Sequence, residues 1–308
     1  MTAPLYGAIE AGGTKFVCAI GHSTGDWLEE TRIATTTPAD TLPAVLNFFD
    51  VAQRRHGEVA SFGVASFGPV DINPSSANFG ALLATPKRGW EGANLPQALR
   101  QRFARPVAVD TDVNAAALAE QQLGAGLGLR SVVYVTVGTG IGGGAVIEGR
   151  TLKGLMHPEM GHIRVQRHEL DLDFAGTCPF HGDCLEGLAS GPAITARWGA
   201  TLQELGPAHA ANDIIADYLG QLAATIALML SCERIVFGGG VFLDSDMLPK
   251  MRSSTARTLK GYLLSLSQPA AMQSFIAPAM LGTRAGLIGA MLVAIAHTRP
   301  VPINEKIT

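Results

Sequence analysis

Apolar residues along this chain fall into short strand-like runs that alternate with longer helix-like runs. Two regions share one pattern. The start, YGAIEAGGTKFVCAIG, and a later stretch, SVVYVTVGTGIGGGAVIEG, each predict a strand, a glycine turn and a second strand. Further strands are predicted within 60–71, 105–112 and 235–244, and helices within 42–57, 114–124 and about 283–297. Alternating strands and helices predict an α/β protein.

The spacing of the two glycine hairpins predicts two domains. Their starts lie about 130 residues apart, which is the length of one domain rather than of a solenoid repeat. We therefore expect an N-terminal α/β domain over 1–115 and a C-terminal α/β domain over 116–282. The apolar helix at about 283–297 is expected to pack back on the first domain.

Composition narrows the class of protein. Of 308 residues, 47% are hydrophobic and 16% are charged, as in a folded globular enzyme. A formal charge of −3 gives no electrostatic reason to expect a nucleic-acid or membrane partner. The N-terminus lacks the pattern of a secretory signal, and the apolar run at 285–296 is too short to span a bilayer. We expect a cytoplasmic protein.

A cluster of histidines and cysteines predicts a metal site. His162, Cys178, His181 and Cys184 offer nitrogen and sulfur ligands, the last three spaced two residues apart, as tetrahedral zinc requires. Four protein ligands leave no open position for a substrate, so a structural zinc is expected in a loop over 157–186. Cys18 and Cys232 lie in apolar segments and are expected to be buried thiols.

The glycine turns favour phosphate binding over two other interpretations. Gly138, Gly140 and Gly143 match a dinucleotide-binding pattern, but they lead into a strand instead of a helix. The segment 12–15 lacks the spacing of a P-loop. Glycine leaves backbone N–H groups accessible to phosphate oxygens, although a single turn of this kind is equally compatible with an ordinary hairpin. Two matched turns and a third, GGG at 238–240, favour a bound nucleotide.

Three carboxylates are candidates for chemistry. Asp110 and Asp112 lie where a predicted strand ends and a helix begins, so one can serve as a general base and the other as the helix N-cap. Glu10, in the first hairpin, can hold Mg²⁺ directly or through water.

The motifs together resemble those of the ROK family (repressors, open reading frames and kinases). The resemblance rests on six segments: EAGGTK at 10–15, DVNAAALAE at 112–120, VGTGIGGG at 137–144, EMGH at 159–162, CLEGLASG at 184–191 and GGGV at 238–241. It implies a two-domain, actin-like ATPase (ribonuclease H-like) sugar kinase fold with a zinc-binding loop. Glu10, the HPEMGH string and CPFHGDC are most similar to the bacterial fructokinases of the family.

The resemblance also implies residue roles. Asp112 is the expected general base. The residues expected at the sugar are Gly68, Pro69, Thr111, Asp112, Glu159, His162 and Glu186, with the segment 85–90 closing the site. Those expected at ATP and Mg²⁺ are Glu10, Gly12, Gly13, Thr14, Lys15, Thr139, Gly140, Gly142, Gly238, Gly239, Gly240 and Val241. Thr111 departs from the asparagine that many relatives carry before the aspartate, which weakens any transfer of aldohexose specificity.

The leading hypothesis is an ATP- and Mg²⁺-dependent kinase that converts D-fructose to fructose 6-phosphate. One alternative within the class is a kinase for glucose, mannose or an N-acetylhexosamine. A non-catalytic sugar-sensing protein and a zinc hydrolase are alternatives from other classes. The family resemblance suggests a homodimer. The first predicted strand begins by about residue 5, which leaves no room before it for the DNA-binding helices of repressor members.

Overall fold

The computed structural model describes residues 3–85, 87–242 and 247–298. Pro86, within the predicted segment 85–90, and residues 243–244, at the end of the predicted segment 235–244, lie outside the described residues. The described chain forms two compact units. The first contains residues 3–119, 153–156 and 283–298, and the second contains the described residues of 120–152 and 157–282.

The first unit contains the predicted strands and helices and two further elements, a strand after the first hairpin and a helix before the last strand. In chain order these are β1 (Tyr6–Ala11), β2 (Lys15–Ser23), β3 (Asp26–Ala34), α1 (Pro38–His56), β4 (Ser61–Ser66), α2 (Leu95–Phe103), β5 (Val107–Thr111) and α3 (Asp112–Leu123). The strands form one sheet of order β3-β2-β1-β4-β5. The β1–β2–β3 strands are antiparallel, whereas β1, β4 and β5 run parallel.

The second unit repeats this topology. Its elements are β6 (Ser131–Val137), β7 (Ile141–Ile147), β8 (Arg150–Thr151), α4 (Leu185–Ala189), α5 (Gly191–Trp198), α6 (Leu202–Leu205), α7 (Ala211–Leu230), β9 (Arg234–Gly238), α8 (Met247–Leu259), α9 (Pro269–Phe275) and β10 (Ile276–Pro278). The sheet order is β10-β9-β6-β7-β8, with β6–β7–β8 antiparallel and β6, β9 and β10 parallel. The chain then returns to the first unit as α10 (Ala285–Thr298).

Helices cover the first sheet through one apolar face each. In α1, Val45, Phe49 and Ala52 are buried at helical spacing, and the Phe49 ring lies 5.0 Å from that of Phe62 in β4. Thr37 caps this helix by accepting a bond from the Asp40 N–H. Helix α10 packs against β1, β4 and β5. Helix α10 thus lies against the sheet of the first unit.

Helix α7 is the core of the second unit. Among the described helices it is long and apolar enough to cross a membrane. However, 61% of its apolar 18-residue stretch is buried inside the unit. Tyr218, Leu219 and Ala223 are fully buried among side chains from β6 and β9. The apolar character of the helix is thus accounted for by packing within the unit.

Candidate active site

The row of residues that ends β1, β4 and β5 organises the site in the first unit. Ala11 pairs with Ser66, and Ser66 pairs with Thr111, so the three strands end level with one another. The carboxyl ends of parallel strands form the edge at which α/β proteins bind ligands. The first glycine turn follows β1. Gly68 and Pro69 come shortly after the end of β4, and Asp112 comes directly after β5.

Asp112 occupies the first position of α3. Its carboxylate is half-buried and accepts a hydrogen bond from the Val113 N–H at 2.9 Å. Burial raises the pKa of Asp112 to about 6. A carboxylate with this pKa is mostly ionised at neutral pH yet is a better proton acceptor than an exposed aspartate. Asp112 therefore has the properties of a general base.

The junction around Asp112 is fixed by its neighbours. The Thr111 hydroxyl accepts a bond from the Asn114 N–H at 3.1 Å, which makes Thr111 the N-cap of α3. The expectation that an aspartate caps this helix is wrong, because the shorter threonine side chain reaches that N–H. Asp110 instead accepts bonds from the Thr111 N–H and the Asn114 side-chain amide. Thr111 is itself buried, and its contact with a sugar stays a prediction.

The first glycine turn presents exposed polar groups. Gly13, Thr14 and Lys15 are exposed, and the Gly12 N–H donates to the Lys15 carbonyl oxygen at 3.0 Å. A Cβ on Gly12 would lie 2.8 Å from that oxygen, so the closed turn requires glycine. Thr35, just after β3, stabilises the turn: its hydroxyl donates a hydrogen bond to the Gly12 carbonyl oxygen at 2.7 Å.

Glu10 lies on β1 beside this turn and carries a perturbed carboxyl group. Burial, followed by the charge of Asp112, raises the pKa of Glu10 to about 7, while Lys15 and the Leu287 N–H lower it. Leu287 is in the first turn of α10, where the helix dipole favours an anion. A Cβ on Gly286 would lie 2.4 Å from a Glu10 oxygen, so glycine allows this approach. A buried carboxylate beside a second carboxylate is a site where a cation is stabilising.

In the second unit, the glycine turn between β6 and β7 is held from two sides. Glu186 accepts a hydrogen bond from the Ile141 N–H at 2.9 Å, and a Cβ on Gly140 would lie 2.6 Å from the same carboxylate oxygen. The Gly191 N–H donates to the Gly138 carbonyl at 2.7 Å. Thr139, at the tip, is exposed. Glu186 was predicted to face a sugar, and the structure shows that one of its oxygens binds this turn.

A cavity of about 500 Å³ opens next to this turn. It is lined by Gly138, Thr139, Gly191, Pro192, Ile194, Thr201, Leu202, Gln203, Gly206, Pro207, Asn212, Gly240 and Val241. Gly239 has φ +98°, and a Cβ there would lie 2.3 Å from the Val137 carbonyl oxygen, so glycine lets the chain turn tightly beside β6. The volume and mixed lining suit a small organic ligand.

Four ligand atoms of His162, Cys178, His181 and Cys184 lie within 4.8 Å of one another. The Cys178 sulfur is 3.8 Å from the His162 Nδ1 and 3.7 Å from the His181 Nδ1, and the Cys184 sulfur is 3.5 Å from the His162 Nδ1. Metal–sulfur bonds of about 2.3 Å and metal–nitrogen bonds of about 2.0 Å place tetrahedral ligand pairs about 3.3–3.8 Å apart. The residues therefore fit a tetrahedral metal ion.

The local chain brings these ligands together. Cys178 and Gly182 exchange backbone hydrogen bonds, and Gly182 has φ +65°, so the chain reverses and returns His181 to Cys178. Cys184 is the residue before α4, and His162 ends the 3₁₀ turn Met160–His162. Glu159 precedes that turn, and its carboxylate lies 3.4 Å from the Nδ1 of buried His157.

Asp171, Arg197 and Tyr218 anchor the stretch of chain between the metal ligands. The Arg197 guanidinium lies 2.9 Å from the Asp171 carboxylate, and the Tyr218 hydroxyl donates to the same carboxylate oxygen at 2.5 Å. Both the carboxylate and the guanidinium are buried. The sequence analysis missed this network, because its members are up to 47 residues apart and no local pattern joins them.

Comparison with known proteins identifies the family. The model of the ROK family matches residues 6–297. The chain belongs to the ROK family. A fructokinase from Zymomonas mobilis subsp. mobilis is 45% identical over 295 residues, which are 95% of this chain and 97% of that protein.

Solved ROK structures share the fold. The ROK hexokinase from Thermus thermophilus is 27% identical, covers 95% of this chain and 98% of its own, and has a TM-score of 0.77. A ROK family glucokinase from Streptomyces griseus was solved in complex with glucose and AMPPNP. It is 27% identical, covers 95% of this chain and 99% of its own, and has a TM-score of 0.70. The predicted α/β sugar kinase fold is confirmed.

Within this ROK protein, the predicted nucleotide residues fall at separate places. Thr139, Gly240 and Val241 line the 500 Å³ cavity. Gly238 ends β9, Gly239 follows it, and Gly140 lies beside the Glu186 carboxylate. Gly142 is paired within the β6–β7 hairpin. The residues predicted at phosphate in the first unit, Gly12 to Lys15, form the exposed β1–β2 turn.

The sequence analysis missed the side of the cavity formed by α5, α6 and the start of α7. Asn212 gives one signal that could have been used. It is a buried amide in the first turn of the apolar helix α7, and it donates to the Gly206 and His209 carbonyl groups. Such a residue fixes the loop that precedes its helix. The loop's place beside the cavity is decided by tertiary packing.

Proposed function

We propose that this ROK protein catalyses the ATP-dependent phosphorylation of D-fructose at its 6-hydroxyl group, giving fructose 6-phosphate and ADP. The observation that carries the proposal is the level row of strand ends, which sets Asp112 on the same sheet edge as the first glycine turn and Glu10. The 45% identical fructokinase supports the choice of sugar.

Asp112 is proposed to act as the general base. Its carboxylate accepts the proton of the C6 hydroxyl while that oxygen attacks the γ-phosphorus in line, and the bond to the β-phosphate oxygen breaks. The exposed backbone and side chains of the two glycine turns are proposed to bind the phosphates, with Thr14, Lys15 and Thr139 as donors. The cavity beside Val241 is proposed to hold the nucleoside.

Two metals are proposed. Glu10 would hold Mg²⁺, which when bound would neutralise charge on the phosphoryl oxygens. Burial and the Asp112 charge raise the pKa of Glu10, and a divalent cation would favour its ionised form. His162, Cys178, His181 and Cys184 would hold zinc. Because all four positions are filled by protein atoms, the zinc would stabilise the loop rather than activate water. This arrangement disfavours a zinc hydrolase.

The remaining sugar contacts are proposed from the motifs. Glu159, His162, Glu186, Gly68, Pro69 and Thr111 are assigned to the sugar on the family resemblance. The division into domains at 1–115 and 116–282, a homodimer and a cytoplasmic location are likewise proposals. A panel of fructose, glucose, mannose and N-acetylhexosamines, compared by kcat/KM, tests the order of substrates. A glucose kcat/KM above that for fructose would overturn the assigned substrate.

Substitution of Asp112 tests the mechanism. Loss of a general base lowers the rate by about 10²- to 10⁴-fold, so Asp112→Asn should lower kcat by that factor with little change in ATP affinity. Fructose phosphorylation coupled to NADPH formation measures the rate, and nucleotide binding is measured separately. The matched control is Asp50→Asn, at a half-buried residue of α1 that pairs with Arg102, and it should keep full turnover. Near-normal kcat in Asp112→Asn would exclude the assigned base.

A further inference from the structure

Lys153 lies just after β8, in a four-residue segment that packs with the first unit although the chain on both sides belongs to the second. Its ammonium group lies 2.7 Å from the Asp110 Oδ2 and donates to the Val109 carbonyl oxygen at 3.3 Å. Val109 and Asp110 belong to β5, the edge strand of the sheet. Lys153 thus places a positive charge on the strand that leads into Asp112.

Asp110 is a buried carboxylate that this junction holds through an ion pair and hydrogen bonds. Its side chain is only 2% exposed, compared with 36% for Lys153. Besides the ammonium group, it accepts bonds from the Thr111 N–H at 2.9 Å and the Asn114 side-chain amide at 2.8 Å. A buried carboxylate is stable only when it is paired and hydrogen-bonded. Removal of Lys153 would take a positive charge away from this carboxylate, which lies two residues before Asp112.

We propose that Lys153 is a positioning residue for Asp112: by neutralising Asp110 it keeps a second carboxylate from opposing ionisation of the base, and it holds the β5–α3 junction in place. This inference rests on the proposed role of Asp112. Two other charged groups lie on the neighbouring strands: Glu10 on β1, whose pKa the Asp112 charge raises, and Lys15 on β2, which lowers the pKa of Glu10. Lys153 differs from them because it acts through Asp110, from a segment outside the sheet.

Two single substitutions should shift the pH profile in opposite directions. In Lys153→Met, the ammonium group no longer offsets the Asp110 charge, which then opposes ionisation of Asp112, so the acid limb of kcat/KM should move to higher pH by about half a unit or more. In Asp110→Asn, the unpaired lysine favours ionisation, so the limb should move to lower pH. The double variant Lys153→Met/Asp110→Asn should return the limb to its original position. Lys153→Arg keeps the positive charge and should leave the acid limb at its original position.

The controls separate this proposal from the proposed function. Arg102→Met, which breaks the exposed ion pair with Asp50 in the same unit, should not move the limb. Asp110→Asn keeps the shape of the side chain and serves if Lys153→Met does not fold. Unshifted limbs in the folded variants, or shifts in the same direction, would overturn the role of Lys153. If instead Asp112→Asn keeps its turnover, the assigned base fails, whatever the Lys153 variants show.

Discussion

At the scale of single residues, the groups suited to chemistry are carboxylates whose surroundings disfavour the ionised form. Asp112 is half-buried, and burial raises its pKa to about 6. Burial and the charge of Asp112 raise the pKa of Glu10 to about 7. Since neither carboxylate is neutralised by an ion pair as Asp110 is by Lys153, their charges oppose folding. This is the pattern expected of residues retained for function.

The cost of the Asp112 charge can be measured. Its pKa in the folded protein, about 6, lies above the ordinary value of 3.8, so between these pH values the folded protein binds the proton more tightly than the unfolded chain. The ionised group therefore lowers stability above pH 6, and this cost disappears as the pH falls to about 3.8. Asp112→Asn should raise the free energy of unfolding at pH 7.5 by on the order of 1 kcal/mol, with no gain near pH 4.

Denaturant unfolding at both pH values checks this expectation. Asp50→Asn is again the control, because Asp50 forms an ion pair with Arg102 and its loss should bring no gain in stability. An Asp112→Asn variant that is less stable than the wild type at pH 7.5 would show that the carboxylate is not strained in the folded state.

At the scale of elements, the first unit depends on the close approach of α10 to its sheet. A Cβ on Gly63 of β4 would lie 1.9 Å from the Ala290 carbonyl oxygen, and one on Gly289 would lie 2.0 Å from the Ala115 carbonyl oxygen. The Ser61 hydroxyl donates to the Ala294 carbonyl at 2.8 Å. Helix and sheet therefore meet backbone to backbone, and glycine is required at the contact.

Gly63→Ala should force α10 away from β4. The added methyl group meets backbone atoms, which cannot move aside like the end of a side chain, so we expect a loss of about 1–3 kcal/mol in the free energy of unfolding. Gly25→Ala is the control: it lies in the same unit, and a Cβ there meets nothing within 4 Å. Equal stability of the two variants would contradict this account of the packing.

Element positions were largely predictable, whereas their lateral contacts were not. The hairpins β1–β2 and β6–β7 were predicted from two apolar runs around glycine, and both are confirmed. Strand β3 was missed, although its residues alternate between exposed and half-buried, because its polar composition hides the period. The Thr111 cap was missed because three consecutive polar residues, Asp110 to Asp112, all can cap a helix.

At the scale of the whole molecule, one topology occurs twice and each copy carries different groups. The first unit carries Asp112, Glu10 and Lys153, and the second carries the cavity and the metal cluster. In the second unit, Glu186 follows the ligand Cys184 by two residues and binds the Ile141 N–H of the glycine turn. The segment that carries Cys184 therefore also holds the glycine turn.

Removal of the metal tests that support. Chelation at neutral pH, or Cys184→Ser, should lower the melting temperature and raise the KM for fructose together, because the loop that carries Glu159 and Glu186 loses its fixed ends. Metal analysis, thermal unfolding and steady-state kinetics measure these effects, and added zinc should reverse those of chelation. Cys232→Ala, a buried thiol outside the cluster, should keep its metal. Metal loss with unchanged KM would show that the loop holds its shape alone.

By itself, the sequence determined the α/β class and the glycine turns, and it indicated the histidine–cysteine cluster and Asp112 as candidates, because each depends on residue type at short spacing. Only the tertiary structure decided that Lys153 pairs with Asp110, that Glu186 binds the glycine turn, and that α5, α6 and α7 line the cavity. The partners in each of the first two contacts are about 40 or more residues apart, and α5 to α7 begin about 50 or more residues after the glycine turn beside the cavity. Their meeting follows from strand register and helix packing, which fix distances that no local pattern of residues contains.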